Sequence, residues 1–407
     1  MTVNEPGRTK NNNLGAAKKA KFDEFYTQYH DIEKEMNAYL DYDKDVFRDK
    51  TILLPCDDPE WSNFTKYFAQ NFDRLGLKKL VSTSYAPNSK PQELSLQLTL
   101  FETQSPKFDK AKARANGKIF TLTRDTTGDK KINVEDLEWE YLKGDGDFRS
   151  AEVSALRDEA DIIITNPPFS LFREFLAWIV EANKKFVIIG NMNAITYKEV
   201  FPLIRENKLW LGATANGTDL VFAVPQGVEI APSDREKAAR LGYVGDYTRL
   251  GNACWFTCID HGRRHEPLTL MTQQDNIRFS KHKDIKGVGY KKYDNYDAIE
   301  VPYTDAIPAE YEGVMGVPIS FLSKYNPDQF TILRLTKTWD DAAGWKLKVY
   351  PMQIQVDGNG AKSQVSKLND APALVVIDPP NGTYYEVGGA RLIAVYQRIL
   401  IRHKGAA

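Results

Sequence analysis

The sequence predicts an α/β fold, a doubly wound and mostly parallel sheet followed by a C-terminal mixed region of loops and short strands. Three observations lead there. Short apolar runs alternate with amphipathic helical patterns through roughly the first 260 residues, the rhythm of strands joined by helical crossovers. After about residue 265 that rhythm is lost, while Gly, Pro, Tyr and basic residues rise. The length, 407 residues with 42% hydrophobic and 12% aromatic side chains, also exceeds what a single core usually needs.

The elements follow in order. Residues 1–20 are polar, carry no apolar signal segment and read as a tail leading into a helix. Thr51-Ile-Leu-Leu-Pro55 predicts a buried strand, and Asn63 to Phe72 a helix after it. Lys79-Leu-Val-Ser-Thr-Ser84 is a second strand. From about 87 to 145 the alternation breaks; Leu94 to Phe101 and Lys118 to Thr123 predict a β-rich insertion. Asp161-Ile-Ile-Ile-Thr165 and Phe186-Val-Ile-Ile-Gly190 are further buried strands, followed by helices over Leu171 to Ala182 and Tyr197 to Arg205. Leu220–Val224 and Ala253–Thr257 are expected to pair antiparallel at the sheet edge. The expected division is a first domain over 21–265 and a second region over 266–407.

Composition narrows the class. No run of 18 apolar residues occurs, so no membrane span is expected. Three cysteines, Cys56, Cys254 and Cys258, are too few for a disulfide framework and suit a reducing cytoplasm. A formal net charge of −1 gives no bulk sign of a polyanionic partner. Locally, however, Arg263, Arg264, Arg278, Lys281, Lys283, Lys286, Lys291 and Lys292 face only Glu266, Asp275 and Asp284. Such a run is either a solvated face or a surface for phosphates.

The sharpest motif is Asn166-Pro167-Pro168-Phe169, set directly after an apolar strand. In a doubly wound sheet, ligands lie beyond the carboxyl ends of strands. The two prolines fix φ and restrict the residue before each, so the Asn166 side chain and the Pro167 carbonyl are aimed in set directions. Both accept hydrogen bonds, and an exocyclic amino group offers two protons. Two acceptors holding those protons turn the nitrogen lone pair toward an electrophile such as a methyl sulfonium. Phe169 adds a flat face for stacking an extruded base, worth roughly 1–3 kcal/mol. A plain proline turn is the competing reading. Asp378-Pro379-Pro380-Asn381 lacks both the aromatic and a following helix pattern, and reads as such a turn.

No GxGxxG or Walker pattern occurs. The first strand runs instead into Pro55-Cys56-Asp57-Asp58-Pro59, where Asp57 or Asp58 would bind amino or ribose groups of a cofactor and the next helix start its carboxylate. The same residues are an ordinary helix-start signal. In Gly144-Asp145-Gly146-Asp147-Phe148, Asp147 would lie near a cofactor's adenine, unless the segment is simply a loop.

Together these segments resemble the EcoRI family of adenine-specific DNA methyltransferases. The likeness runs through Lys21-Phe-Asp-Glu-Phe-Tyr-Thr-Gln-Tyr29 and Asp31-Ile-Glu33, then Pro55 to Pro59 with Ser62-Asn-Phe64. It continues through Gly144 to Ser150, Asn166 to Phe169, Gly190-Asn-Met-Asn193, Cys254-Trp-Phe-Thr257 and Arg398-Ile-Leu-Ile-Arg402. It implies a Rossmann-like methyltransferase domain, S-adenosylmethionine as cofactor, and double-stranded DNA as partner. A restriction endonuclease of the same system, acting without direct contact, is implied with it. The cofactor site would come from Phe25, Tyr26, Thr27, Asp57 and Asp147, with Pro55, Cys56, Asp58 and Phe148 beside them. Asn166, Pro167, Pro168 and Phe169 would transfer the methyl group to N6 of a flipped adenine. Region 266–407 would recognise the target, with Lys281, Lys283 and Lys286 on phosphates and Arg263 or Arg264 on a base. The first-strand motif departs from the Gly-rich form common in methyltransferases, and sequence near 335–380 looks additional.

Two metal-like patterns compete with this reading. Cys254, Cys258, His261 and His265 have the residue types of a zinc site, but the cysteine spacing is that of strand neighbours. Asp125 to Asp136 resembles a calcium loop with Lys130 where glycine belongs, which favours a turn. No metal is expected. The same chemistry on an RNA adenine or a protein glutamine would not need the long basic region after residue 265. A catalytically silent DNA-binding protein would not need Asn166 and Phe169 intact.

Overall fold

The computed structural model describes residues 26–57, 62–86, 105–214, 220–224, 230–249, 252–341, 345, 347–378 and 382–404. The chain divides into two compact units, one of Met1–Lys34, Phe47–Gly190 and Thr218–Gly251, the other of Glu35–Val46, Asn191–Gly217 and Asn252–Ala407.

Seven of the first unit's described strands come first along the chain: β1 (Tyr26–Thr27), β2 (Thr51–Leu54), β3 (Lys79–Ser84), β4 (Lys118–Leu122), β5 (Glu138–Tyr141), β6 (Ile162–Thr165) and β7 (Lys185–Asn191). Six of them lie in the order β5-β4-β3-β2-β6-β7. The inner neighbours β3, β2, β6 and β7 are parallel. Every residue of β2 and β6 is buried, which is why both read as unbroken apolar runs. Parallel neighbours need crossovers, and the chain supplies helices between them. Asn63–Gln70, capped by the Ser62 hydroxyl, joins β2 to β3. Phe172–Glu181 joins β6 to β7 and buries Phe172, Phe175, Leu176 and Ile179, a three-to-four-residue stripe.

The break in rhythm after residue 86 has a simple outcome where it is described. β4 lies antiparallel on β3, and β5 antiparallel on β4, so these strands extend the parallel core. The expected strand Leu94 to Phe101 lies outside the described residues.

One expected pairing is corrected. Val221–Ala223 does not pair with Ala253–Thr257; it lies between β1 and Tyr247–Arg249, antiparallel to both. Tyr247–Arg249 is the next strand along the chain, and sequential strands pair more often than distant ones. Ala253–Thr257 pairs instead with Trp210–Leu211, in the second unit.

The second unit holds two further sheets. Four strands lie in the order Ile299–Glu300, Met315–Pro318, Arg398–His403, Phe330–Leu335. Five antiparallel strands lie in the order Lys362–Val365, Gln353–Val356, Tyr384–Val387, Ala390–Ala394, Ala373–Val375. Inside the four-stranded sheet, Arg398 meets Glu300 at 2.7 Å with both side chains buried, and the Tyr293 hydroxyl donates to the same carboxylate. Ile399, Leu400 and Ile401 are fully buried, so the closing Arg398-Ile-Leu-Ile-Arg402 segment is a core strand. No described helix is long and apolar enough to cross a membrane.

Candidate active site

β2 has β3 on one side and β6 on the other, so the sheet reverses its direction of growth between β2 and β6. In open α/β sheets ligands bind beyond the carboxyl ends of the strands at such a reversal. Pro55-Cys56-Asp57 follows β2 there, and Asn166-Pro167-Pro168-Phe169 follows β6.

Asp57 joins the two ends. Its side chain is only 7% exposed. Oδ1 accepts from the Ser62 hydroxyl at 2.7 Å and Oδ2 from Thr165 Oγ1 at 2.5 Å. Thr165 is the residue before Asn166, and its hydroxyl also lies 2.6 Å from the Pro55 carbonyl. The Asp57 carbonyl in turn accepts from the Ser82 hydroxyl of β3. The turn that delivers Asp57 places Cys56 at φ 69, left-handed for a residue with a side chain, and these bonds hold it there.

The catalytic candidates stand on rigid backbone. Pro167 is buried; Asn166, Pro168 and Phe169 are half-buried. The Pro168 carbonyl accepts from Leu171 N at 3.0 Å, closing the 3-10 turn Phe169–Leu171 that feeds the helix Phe172–Glu181. Gly190, at the end of β7, makes room for that helix. A Cβ there would stand 2.3 Å from Cε2 of Phe172.

β1 is tied to the same end of the sheet. Asn63 Nδ2 donates to the Thr27 carbonyl at 2.8 Å, joining two of the motif segments. Thr27 is 3% exposed, and its hydroxyl has no hydrogen-bond partner among the described residues. Buried hydroxyls normally have one. Phe25 and Asp58 lie outside the described residues.

The Gly144–Phe148 segment folds over the end of β3. Gly146 has φ 87, and a Cβ on it would stand 2.3 Å from the Ser84 carbonyl, a contact only glycine permits. Asp147 lies in the fork of Arg149, at 2.9 Å from Nε and 2.6 Å from Nη2, while Nη1 reaches Glu174 at 2.9 Å. The Arg149 guanidinium holds the Asp147 carboxyl below its ordinary range. Phe148 is turned away. Its ring is 3% exposed and packs edge-on against Phe175 and Trp178, at 5.0 and 5.5 Å between centroids, so it serves the core.

One end of one sheet thus gathers Tyr26 and Thr27, Pro55 to Asp57, Asp147, and Asn166 to Phe169. Sequence reasoning gave no site role to Ser62, Ser82, Thr165 or Arg149. Polar residues inside apolar runs, as Ser82 and Thr165 are, were the available signal.

The second unit places the remaining candidates. Lys281, Lys283 and Lys286 are exposed, and Lys281 is 2.8 Å from Asp305. Arg263 is half-buried and donates to the Ala213 carbonyl at 2.7 Å. Arg264 is 6% exposed: its guanidinium sits 3.7 Å over the Trp210 ring, bonds Asp260 at 3.1 Å and reaches Asn207. His261 Nε2 is 3.0 Å from the Leu211 carbonyl and His265 is 3.0 Å from Asp260, while Cys254 is buried in its strand. Among the described residues no three His, Cys, Asp or Glu side chains are grouped to hold a metal. In the calcium-like loop, Asp125 accepts from the backbone of Gly128 at 2.6 Å and Lys130 at 2.8 Å. Those are turn bonds.

The family model described as adenine-specific methyltransferase EcoRI matches residues 13–404. Type II methyltransferase M.EcoRI of Escherichia coli is 43% identical over 329 residues, covering 81% of this chain and 90% of its own length. M.MpnI of Mycoplasma pneumoniae is 32% identical over 318 residues, 78% of this chain and 83% of its own. M.MgeORF184P of Mycoplasma genitalium is 33% identical over 318 residues, 78% and 84% respectively. No solved structure matches the chain. The family match takes in both units and every segment gathered at the ends of β2, β3 and β6, and the chain belongs to the EcoRI family of adenine-specific methyltransferases.

Proposed function

We propose that the protein is a site-specific DNA N6-adenine methyltransferase that receives its methyl group from S-adenosylmethionine. The observation that carries the reading is the Asp57–Thr165 bond, which fixes the loop after β2 to the strand end bearing Asn166. Residues 21–265 would act as a Rossmann-like, doubly wound catalytic part and 266–407 as the target-recognition part.

The residues at these strand ends fit the cofactor chemically. The buried Thr27 hydroxyl has no partner among the described residues, a place a polar ligand would fill, and Cys56 and Asp57 follow β2 while Asp147 lies at the end of β3. Once bound, S-adenosylmethionine supplies an electrophilic methyl group. The rest falls to the chain. An adenine turned out of the duplex would stack on Phe169, its N6 protons accepted by the Asn166 side-chain oxygen and the Pro167 carbonyl. Holding both protons frees the N6 lone pair for attack, and the nitrogen then returns one proton to solvent. Pro167 and Pro168 keep the two acceptors from relaxing toward each other. The buried Arg264 is a poor base reader, so Lys281, Lys283, Lys286 and Arg263 remain as DNA contacts. The activity belongs to the cytoplasm, beside a nuclease that cuts the same sequence without touching this protein.

The experiment is transfer of labelled methyl to duplex DNA, with digestion to nucleosides. N6-methyladenine is expected. Label in RNA alone or in protein glutamine overturns the reading. Asn166→Ala should abolish nearly all turnover with cofactor affinity held within a few-fold, measured by calorimetry.

A further inference from the structure

The helix Gln273–Phe279 and the turn after it present a feature that methyl transfer does not use. Phe279 is 67% exposed and Val288 60% exposed. Neither is on a fraying segment. Thr272 caps the helix through Asp275 N at 3.0 Å, and Gly287 N donates to the Ile277 carbonyl at 2.8 Å, folding the turn back on the helix. Gly287 (φ 73) and Gly289 (φ 87) permit that reversal. Ile285 is 1% exposed beneath it. The His282 ring stacks on Tyr303 at 3.6 Å and bonds Asp305 at 2.7 Å, while the Tyr303 hydroxyl holds Asp284 at 3.0 Å. Two large apolar side chains are therefore displayed on a fixed platform.

Basic residues outnumber acidic ones around them. Arg278, Lys283 and Lys286 are exposed, and no carboxylate among the described residues pairs with them. Lys281 is paired at the surface with Asp305, and the Asp284 carboxylate accepts from the Tyr303 hydroxyl. A partner for this face must offer anionic groups on either side of flat apolar surface. Duplex DNA opened at one base step does so, and Phe is among the side chains that wedge such steps. An anionic bilayer would ask for a continuous apolar helix face. The seven-residue helix instead reads Gln-Gln-Asp-Asn-Ile-Arg-Phe, with Ile277 its sole apolar residue before Phe279.

We propose that Phe279 is a wedge that enters the base stack of bound DNA and bends it, while Arg278, Lys283 and Lys286 grip the flanking phosphates. This rests on the reading of the protein as a DNA methyltransferase and adds a second contact with bases, separate from Phe169. Bending opens the duplex and lowers the cost of turning a nucleotide out.

The test uses the full-length protein on target duplexes with end-attached donor and acceptor dyes, and with 2-aminopurine placed at successive steps. Wild type should bend the DNA and brighten a probe at a step other than the target adenine. Phe279→Ala should lose the bend and that signal and bind at least about five-fold more weakly, with unchanged salt dependence; Phe279→Leu should restore most of both. Lys283→Ala with Lys286→Ala should keep the bend and flatten the salt dependence, by close to one unit of slope for each phosphate released. Both changes are at exposed positions, so thermal melting should match wild type. Bending and binding by Phe279→Ala within two-fold of wild type overturn the wedge while methylation stands. Phe279-dependent capture by phosphatidylserine vesicles, with DNA bending unaffected, also overturns it. Absence of methyl transfer to DNA by wild type overturns the parent reading instead.

Discussion

The Thr165 hydroxyl donates a 2.5 Å hydrogen bond to the Asp57 carboxylate, across the seam where β2 and β6 lie side by side. Asp57 and Thr165 are 108 residues apart in sequence. One end of the bond belongs to the loop that would face a cofactor, the other to the residue before Asn166. With Ser62 on the second carboxylate oxygen, one side chain ties together the loop after β2, the helix start and the strand end of β6.

Thr165→Val keeps the side-chain shape and removes the donor. Losing one partner of a buried hydrogen bond costs about 1–3 kcal/mol. The variant should unfold at lower urea with an unchanged m-value and lose at least about ten-fold in kcat. Thr165→Ser should recover most of both. Wild-type kcat in the valine variant would show that the bond serves stability alone.

Phe169 should act through its face. Phe169→Ala should slow methylation and Phe169→Tyr keep much of the rate, because each base stacked on an aromatic ring gains roughly 1–3 kcal/mol. With 2-aminopurine at the target position, fluorescence should rise on binding wild type. A signal unchanged through binding and turnover argues against extrusion of the base.

Asp136 gives a pH-dependent contribution to stability in the first unit. Burial pushes its carboxyl up, but hydrogen bonds from Asn133, Thr126 and Thr127 outweigh it and bring the value to about 2. Since the folded value lies below the unfolded one of about 3.9, the stabilisation is full above pH ~4. It fades as pH falls toward 2. Asp136→Asn should therefore melt earlier than wild type at pH 7, and the difference should shrink between pH 4 and 2. A gap of constant size across that range would assign the effect to packing.

The inner strands were legible because β2, β6 and β7 are buried on both faces and can only be apolar. The turn at Asn166 was legible because prolines restrict the backbone whatever surrounds them. Pairing was not. β1 is two residues long, and nothing in Tyr26-Thr27 specifies Val221–Ala223 as its neighbour. Charge was misleading for a different reason. Arg264 and Lys286 look alike in a basic run, yet one lies over Trp210 and the other is in solvent. Phe148 looked like part of a binding loop because Gly144 to Asp147 precede it; its ring fills the space between Phe175 and Trp178.

The place of Arg398–His403 between Met315–Pro318 and Phe330–Leu335 bears on how the protein is made. On the ribosome, the two earlier strands emerge with the slot between them empty, and their ladders stay open until residue 403 has cleared the exit tunnel. Glu300 waits through the same interval for Arg398, its buried counter-ion. The second unit is therefore completed only once residues 398–403 have emerged, and a nascent chain halted before residue 398 leaves the facing edges of those two strands bare, edges that invite aggregation.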